Sequence, residues 1–135
     1  MLHPQILEAL GSAGHHARIL VADANYAVSA RSPERARTVY LNLSPGVVSA
    51  LTVVETLLLV VEIQGATLML PPGGSELPIH AEYRRLFGNR IPVTEKRKED
   101  FYSEVMSPDT VLVIATGETR RFANVLLTMG VVSIP

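Results

Sequence analysis

Arg18-Ile19-Leu20-Val21-Ala22-Asp23 and Val111-Leu112-Val113-Ile114-Ala115-Thr116 decide the fold. Each is a short, nearly continuous apolar run that stops at a polar residue. A half-exposed strand alternates apolar and polar side chains, whereas a strand covered on both faces reads as an unbroken apolar run. Two such runs call for a sheet with helices on both sides. Outward from the first run, residues 4–13 read as a helix, with Pro4 in the first turn, Ile6, Leu7, Leu10 and Ala13 on one face, and Gly14 as the stop. Residues 26–36 are polar and turn-rich, and residues 38–43 form a second strand candidate. Ser44-Pro45-Gly46 reads as a helix start running to about Val54, and residues 57–63 return to strand, with Gln64-Gly65 as a turn signal. Residues 66–70 extend the sheet. Residues 78–87 are helical with Gly88 as the stop, residues 91–93 form a short strand, and residues 96–106 form a charged helix leading into the second decisive run. Residues 125–127 and 131–134 close the chain around Met129-Gly130. Strands alternating with helices predict one α/β domain over residues 1–135, a three-layer sandwich with a mostly parallel or mixed central sheet.

Composition removes several functional classes. Twelve basic against thirteen acidic side chains leave a net charge of −1, so no global field draws the chain to nucleic acid or to an anionic membrane. With no Cys there is no disulfide framework, thiolate zinc site, iron–sulfur cluster or cysteine nucleophile. The most apolar stretch, residues 47–63, is broken by Ser49, Thr52, Glu55, Thr56 and Glu62, and a membrane span needs about 20 mostly apolar residues. The N-terminus lacks the basic start and long apolar run of a secretory signal, so a cytoplasmic location is expected. Charged residues make up 19% of the chain, below the roughly 25% of ordinary soluble domains, which predicts burial of surface between subunits.

Ligands of open α/β sheets gather beyond the carboxyl ends of the strands, which singles out Asp23, Asn25, Thr116, Glu118 and Arg120. Gly14-His15-His16, just before the first decisive run, adds two imidazoles, the side-chain type best suited to moving protons near neutral pH. Each has a plainer reading: a solvated loop histidine, Asp23 as a turn former, and Glu118, Arg120 and Arg121 as an exposed ion-pair cluster. His3 and His80 have no convergent polar neighbours in sequence and read as structural. No helix-spaced metal ligands and no P-loop occur.

Gly14-His15-His16-Ala17, Ile19-Leu20-Val21-Ala22-Asp23-Ala24-Asn25-Tyr26 and Thr116-Gly117-Glu118-Thr119-Arg120-Arg121-Phe122-Ala123-Asn124 together resemble the ribose pyranase and fucose mutarotase (RbsD/FucU-type) family. The likeness runs over almost the whole chain, and Asp23-Ala24-Asn25-Tyr26 is closer to the fucose branch. The resemblance implies an isomerase that interconverts anomers or ring forms of a free monosaccharide without cofactor or metal. It also implies a ring-shaped homo-oligomer, typically a decamer of two stacked pentamers with sites near subunit boundaries. It makes His15 the proton donor, Asp23 the acceptor of sugar hydroxyls, and Phe122-Ala123-Asn124 the sugar-binding loop. Lys98 falls near a basic or His position that contacts sugar, ahead of a small insertion around Ser107-Pro108. Glu118 and Arg120 join as substrate-binding candidates from their place after a strand. Two positions depart from the family pattern: Ala17 stands where Gly-His-x-Asp has its carboxylate, and Phe122 replaces a Tyr. These departures motivate a second reading, a non-catalytic or diverged sugar-binding ring. D-ribose pyranase is a lesser alternative.

Overall fold

The computed structural model describes residues 1–134. Its elements run α1 (Pro4–Ser12), β1 (Arg18–Ala22), β2 (Arg37–Tyr40), α2 (Ala50–Leu58), β3 (Ile63–Leu70), α3 (Pro78–Phe87), β4 (Val93–Arg97), α4 (Lys98–Val105), β5 (Thr110–Ala115) and β6 (Val125–Met129). The strands form one six-stranded sheet in the order β2-β5-β1-β6-β3-β4. Neighbours are parallel except at β6, which is antiparallel to both β1 and β3. The sheet is therefore mixed, with a single reversed strand. No helix of the described residues is long and apolar enough to cross a membrane.

The two decisive runs lie side by side, Leu20 against Val113 and Val21 against Ile114. Period-two alternation sends Ile19 and Val21 to one face and Leu20 and Ala22 to the other. The first face packs on Ile6 and Leu10 of α1, Val53, Val54 and Leu57 of α2, and Ile79, Tyr83 and Phe87 of α3. The second, smaller face packs on Phe101 and Val105 of α4 together with Tyr26 and Met69. These are the three layers expected of an unbroken apolar strand.

Several boundaries differ from the sequence expectation, each for a local reason. Helix α1 buries Ile6, Ala9 and Leu10 but leaves Leu7 half exposed, and His3 caps it by accepting from the Ile6 N–H at 3.4 Å. Ser44-Pro45-Gly46 does not start a helix. Gly46 takes a left-handed backbone (φ 85°), closing a tight turn in which the Val47 N–H donates to the Ser44 carbonyl. The cap of α2 is instead Ser49, whose hydroxyl accepts from the Thr52 N–H at 3.1 Å, so the helix runs through Leu58 where strand was expected. Gln64-Gly65 is not a turn but lies within β3, where the pairing with β6 shifts register between Ile63 and Gly65. Such a bulge inserts one extra residue without ending the strand. Lys96 and Arg97 belong to β4 rather than to the charged helix, and residues 131–134 carry no strand.

The Ser44–Val47 turn is locked to the segment after β5. Gly46 donates its N–H to the Gly117 carbonyl at 2.6 Å, and Gly117 donates to Val48 at 2.9 Å. A Cβ at Gly117 would lie 2.5 Å from the carbonyl oxygens of both Ser44 and Val47, which are backbone and cannot swing away. Gly117→Ala is expected to lower stability by about 1–3 kcal/mol, the usual cost of overpacking, read as a reduced midpoint in chemical denaturation.

Candidate functional site

The carboxyl ends of the five parallel strands share one sheet edge, and the reversal of β6 brings its beginning to that same edge. Asp23 follows β1, Lys98 follows β4, Met69 lies near the end of β3, and Phe122-Ala123-Asn124 lead into β6. A pocket of about 130 Å³ opens there, lined by Asp23, Asn25, Tyr26, Met69, Lys98, Tyr102, Arg121, Phe122 and Asn124. It is well below the roughly 300–1,000 Å³ of pockets that enclose drug-sized ligands, and suits a small molecule.

Asp23 is the buried charge of the pocket, 5% exposed. Its backbone N–H donates to Asn124 Oδ1 at 2.7 Å, and its Oδ1 accepts from the Asn25 N–H at 2.9 Å. Burial pushes the Asp23 carboxyl above its ordinary value, and hydrogen bonds from the Asn25, Ala123 and Tyr26 backbone and the Asn124 side chain offset only part of that. The Asp23 carboxylate lines the pocket as its buried acceptor, a group suited to hydroxyl donors. Around it stand an amide, Asn124, and two aromatic rings, Phe122 and Tyr102. The Lys98 ammonium lies 5.9 Å from the Tyr102 ring centroid, and the Arg121 guanidinium 5.5 Å from that of Phe122.

Helix α3 sets the loop that carries Phe122. Phe122 has a left-handed backbone (φ 58°), a costly state for a residue with a Cβ. His80, fully buried, donates from Nε2 to the Phe122 carbonyl at 2.8 Å while its Nδ1 accepts from the Leu77 N–H. The Tyr83 hydroxyl donates to the Ala123 carbonyl at 2.7 Å. His80, read from sequence as structural, thus holds the pocket loop from behind. Ala123 contributes backbone here, its side chain being buried in the core.

The other sequence candidates lie elsewhere. Glu118 is buried but does not line the pocket. Its carboxylate accepts from the Ala50 N–H at the start of α2 and from the Arg120 backbone and guanidinium. Burial pushes its carboxyl up, but the hydrogen bonds and charge of Arg120 outweigh this and hold it below the usual range. Arg120 is spent between Glu118 and Glu82. This pair ties α2, α3 and the segment after β5 together rather than facing a ligand. His15 is the larger departure. It precedes β1 whereas Asp23 follows it, so roughly 16 Å of strand separates them. His15 and His16 stand at the opposite sheet edge with their rings stacked at 3.7 Å, and His15 borders a cleft of about 560 Å³. Leu59, Val131 and Val132 also line that cleft and are 89%, 62% and 86% exposed. Sequence reasoning missed Tyr102, Met69 and Arg121 as lining residues. Tyr102 read there only as part of the charged helix, and Met69 only as part of the sheet extension over residues 66–70. Among the described residues no group of three or more His, Asp or Glu side chains could hold a metal ion.

A three-layer sandwich around a mixed sheet, with a small polar pocket at the strand ends, defines a compact ligand-binding α/β class. Residues 1–132 match the RbsD / FucU transport protein family, and the chain belongs to it. It is 32% identical to a D-ribose pyranase of Streptomyces coelicolor, covering 97% of this chain and 95% of that protein. It is 28% identical to the human fucose mutarotase, over 99% and 92% of the two chains. The structure of Bacillus subtilis RbsD complexed with D-ribose superposes with a TM-score of 0.86 at 22% identity, over 98% and 96%, a likeness of fold.

Asp23→Asn keeps an acceptor for the Asn25 N–H and removes the buried charge. Because the folded carboxyl titrates above its ordinary value, the native state binds that proton more tightly than the unfolded chain, and stability falls as pH rises through this window. Asp23→Asn is therefore expected to raise the melting temperature at pH 7, with the gain vanishing below about pH 4, where the Asp is protonated in both states. Thermal scans of both proteins at the two pH values check this.

Proposed function

We propose that this protein interconverts the anomers of a free monosaccharide, a fucose-type hexose, in a pocket completed by two copies of the chain. The observation that carries the proposal is the separation of its two chemical halves. One edge of the sheet offers a buried acceptor, an amide and aromatic faces but no histidine among the residues lining the pocket. The other offers His15 on an exposed apolar rim. The relatives named fucose mutarotase and D-ribose pyranase support the substrate class, and Asn25 after Asp23-Ala24 supports the fucose branch.

Opening an aldose ring takes a proton from the anomeric hydroxyl and delivers one to the ring oxygen, and closure reverses the exchange. One imidazole serves both directions, so the step calls for no cofactor. Asp23 and Asn124 hold sugar hydroxyls, Phe122 and Tyr102 cover the apolar face of the ring, Lys98 reaches over the mouth, and His15 of a neighbouring copy moves the proton. A head-to-tail contact that joins the His15 edge of one copy to the Asp23 edge of the next closes into a ring, here proposed as a decamer of two pentamers. The relatives named D-ribose pyranase favour a second reading in which D-ribose ring forms are the substrate.

Saturation-transfer NMR on L-fucose, D-ribose, D-galactose and L-rhamnose tests both. Faster anomer exchange on L-fucose is expected, with His15→Ala losing about 100-fold or more, as for other general acid–base groups. A preference for D-ribose selects the second reading. Saturable binding without faster exchange on any sugar sinks catalysis and leaves a sugar-binding ring. Co-expression of His15→Ala with Asp23→Asn chains is expected to recover about a quarter of wild-type activity, because random mixing leaves that share of two-copy sites intact. No recovery from verified mixed oligomers contradicts a shared site.

A further inference from the structure

Gln64 has no part in the pocket, yet its position is unusual. It is the extra residue of the β3 bulge, where pairing with β6 passes from Ile63–Met129 to Gly65–Thr128. Bulges re-aim side chains, and this one points the Gln64 amide at both histidines. Gln64 Oε1 lies 2.8 Å from His15 Nε2, and Gln64 Nε2 lies 3.2 Å from His16 Nδ1. An amide oxygen only accepts and an amide nitrogen only donates. The pair of contacts therefore sets both tautomers at once: neutral His15 carries its proton on Nε2, and His16 has its lone pair on Nδ1.

His16 completes the arrangement at a cost. Its backbone is left-handed (φ 74°), held by its N–H donating to the Met129 carbonyl at 3.1 Å. With its imidazole stacked on that of His15, Gln64 receives two correctly turned rings rather than one. Ala17, next along the chain, has no polar side chain with which to do this work.

We propose that Gln64 is the positioning residue of His15, and that His15 exchanges protons with the sugar through Nδ1. This rests on the His15 role proposed above. With Nε2–H committed to Gln64, the lone pair on Nδ1 accepts the anomeric hydroxyl proton. The C1–ring-oxygen bond breaks with its electron pair passing to the ring oxygen, which takes the proton back from Nδ1 as the carbonyl forms. The amide orients without adding charge. The titratable groups facing His15 among the described residues are His16, stacked on it, and Glu62, which lines the same cleft.

Long-range proton–nitrogen NMR of the ring nitrogens reads the tautomers in the assembled protein, whether or not a sugar is turned over. The expected wild-type state is Nε2–H on both His15 and His16, and Nδ1–H on His15 overturns the proposal by itself. Gln64→Ala is expected to leave His15 in mixed tautomers and to lower kcat on the order of tenfold with KM little changed, as for removal of an outer partner of a working histidine. Gln64→Glu keeps the acceptor and adds a negative charge beside the ring, so it restores the tautomer and moves the pH profile of kcat upward. His16→Gly relieves the left-handed backbone; it is expected to hold or raise the melting temperature while loosening the His15 tautomer. If Gln64→Ala leaves tautomer and kcat unchanged while His15→Ala remains inactive, this inference fails and the site reading stands. If His15→Ala is itself as active as wild type, the site reading fails.

Discussion

The reversal of β6 is the constraint on which the rest of the structure depends. Inserted antiparallel between β1 and β3, it starts at the edge where every other strand ends and ends where they start. Its approach therefore places Asn124 against the Asp23 backbone, and its end places the Met129 carbonyl under the His16 N–H. A parallel strand in this slot would take Asn124 to the far edge and leave Asp23 without a partner for its N–H. The same five-residue element thus organises two chemically different ends of one sheet.

Both ends hold a residue away from its relaxed backbone. The two left-handed residues that are not glycine are His16 and Phe122, one at each edge among the described residues. Each is held by contacts from packed elements: Met129 at the end of β6 for His16, and His80 on α3 for Phe122. Strain persists only where the surroundings over-determine it, so a rigid core is needed behind each loop. The buried Tyr83 belongs to that core and reaches from it to the Ala123 carbonyl beside Phe122.

The fold was largely legible in the sequence because its centre is made of uninterrupted apolar runs. β1 and α3 fall where periodicity, Gly88 and Pro78 put them. Errors collected where a local signal had two outcomes. Ser44-Pro45-Gly46 resembles a helix cap, but a glycine at that spacing also closes a turn, and only the Gly117 backbone against it selects the turn. Gln64-Gly65 is a turn signal in a single strand and a bulge in a paired one. Of the candidate site, Asp23, Lys98, Phe122 and Asn124 were legible as strand-end residues or through family likeness, and they share one pocket. Tyr102 and Met69 were not, because packing residues and lining residues look alike along a chain. The sequence reading set His15 before the first decisive run and Asp23 after it, and the strand between them separates the two by its full length.

That separation has a consequence for how the protein responds to dilution. On the proposed assignment an isolated copy keeps the carboxylate, amide and aromatic faces that hold a sugar, and lacks only the base. Affinity for the ligand would then outlast turnover as assemblies come apart. On that assignment rate per chain would measure association, and the exposed apolar rim of Leu59, Val131 and Val132 would set the concentration at which the chemistry switches on.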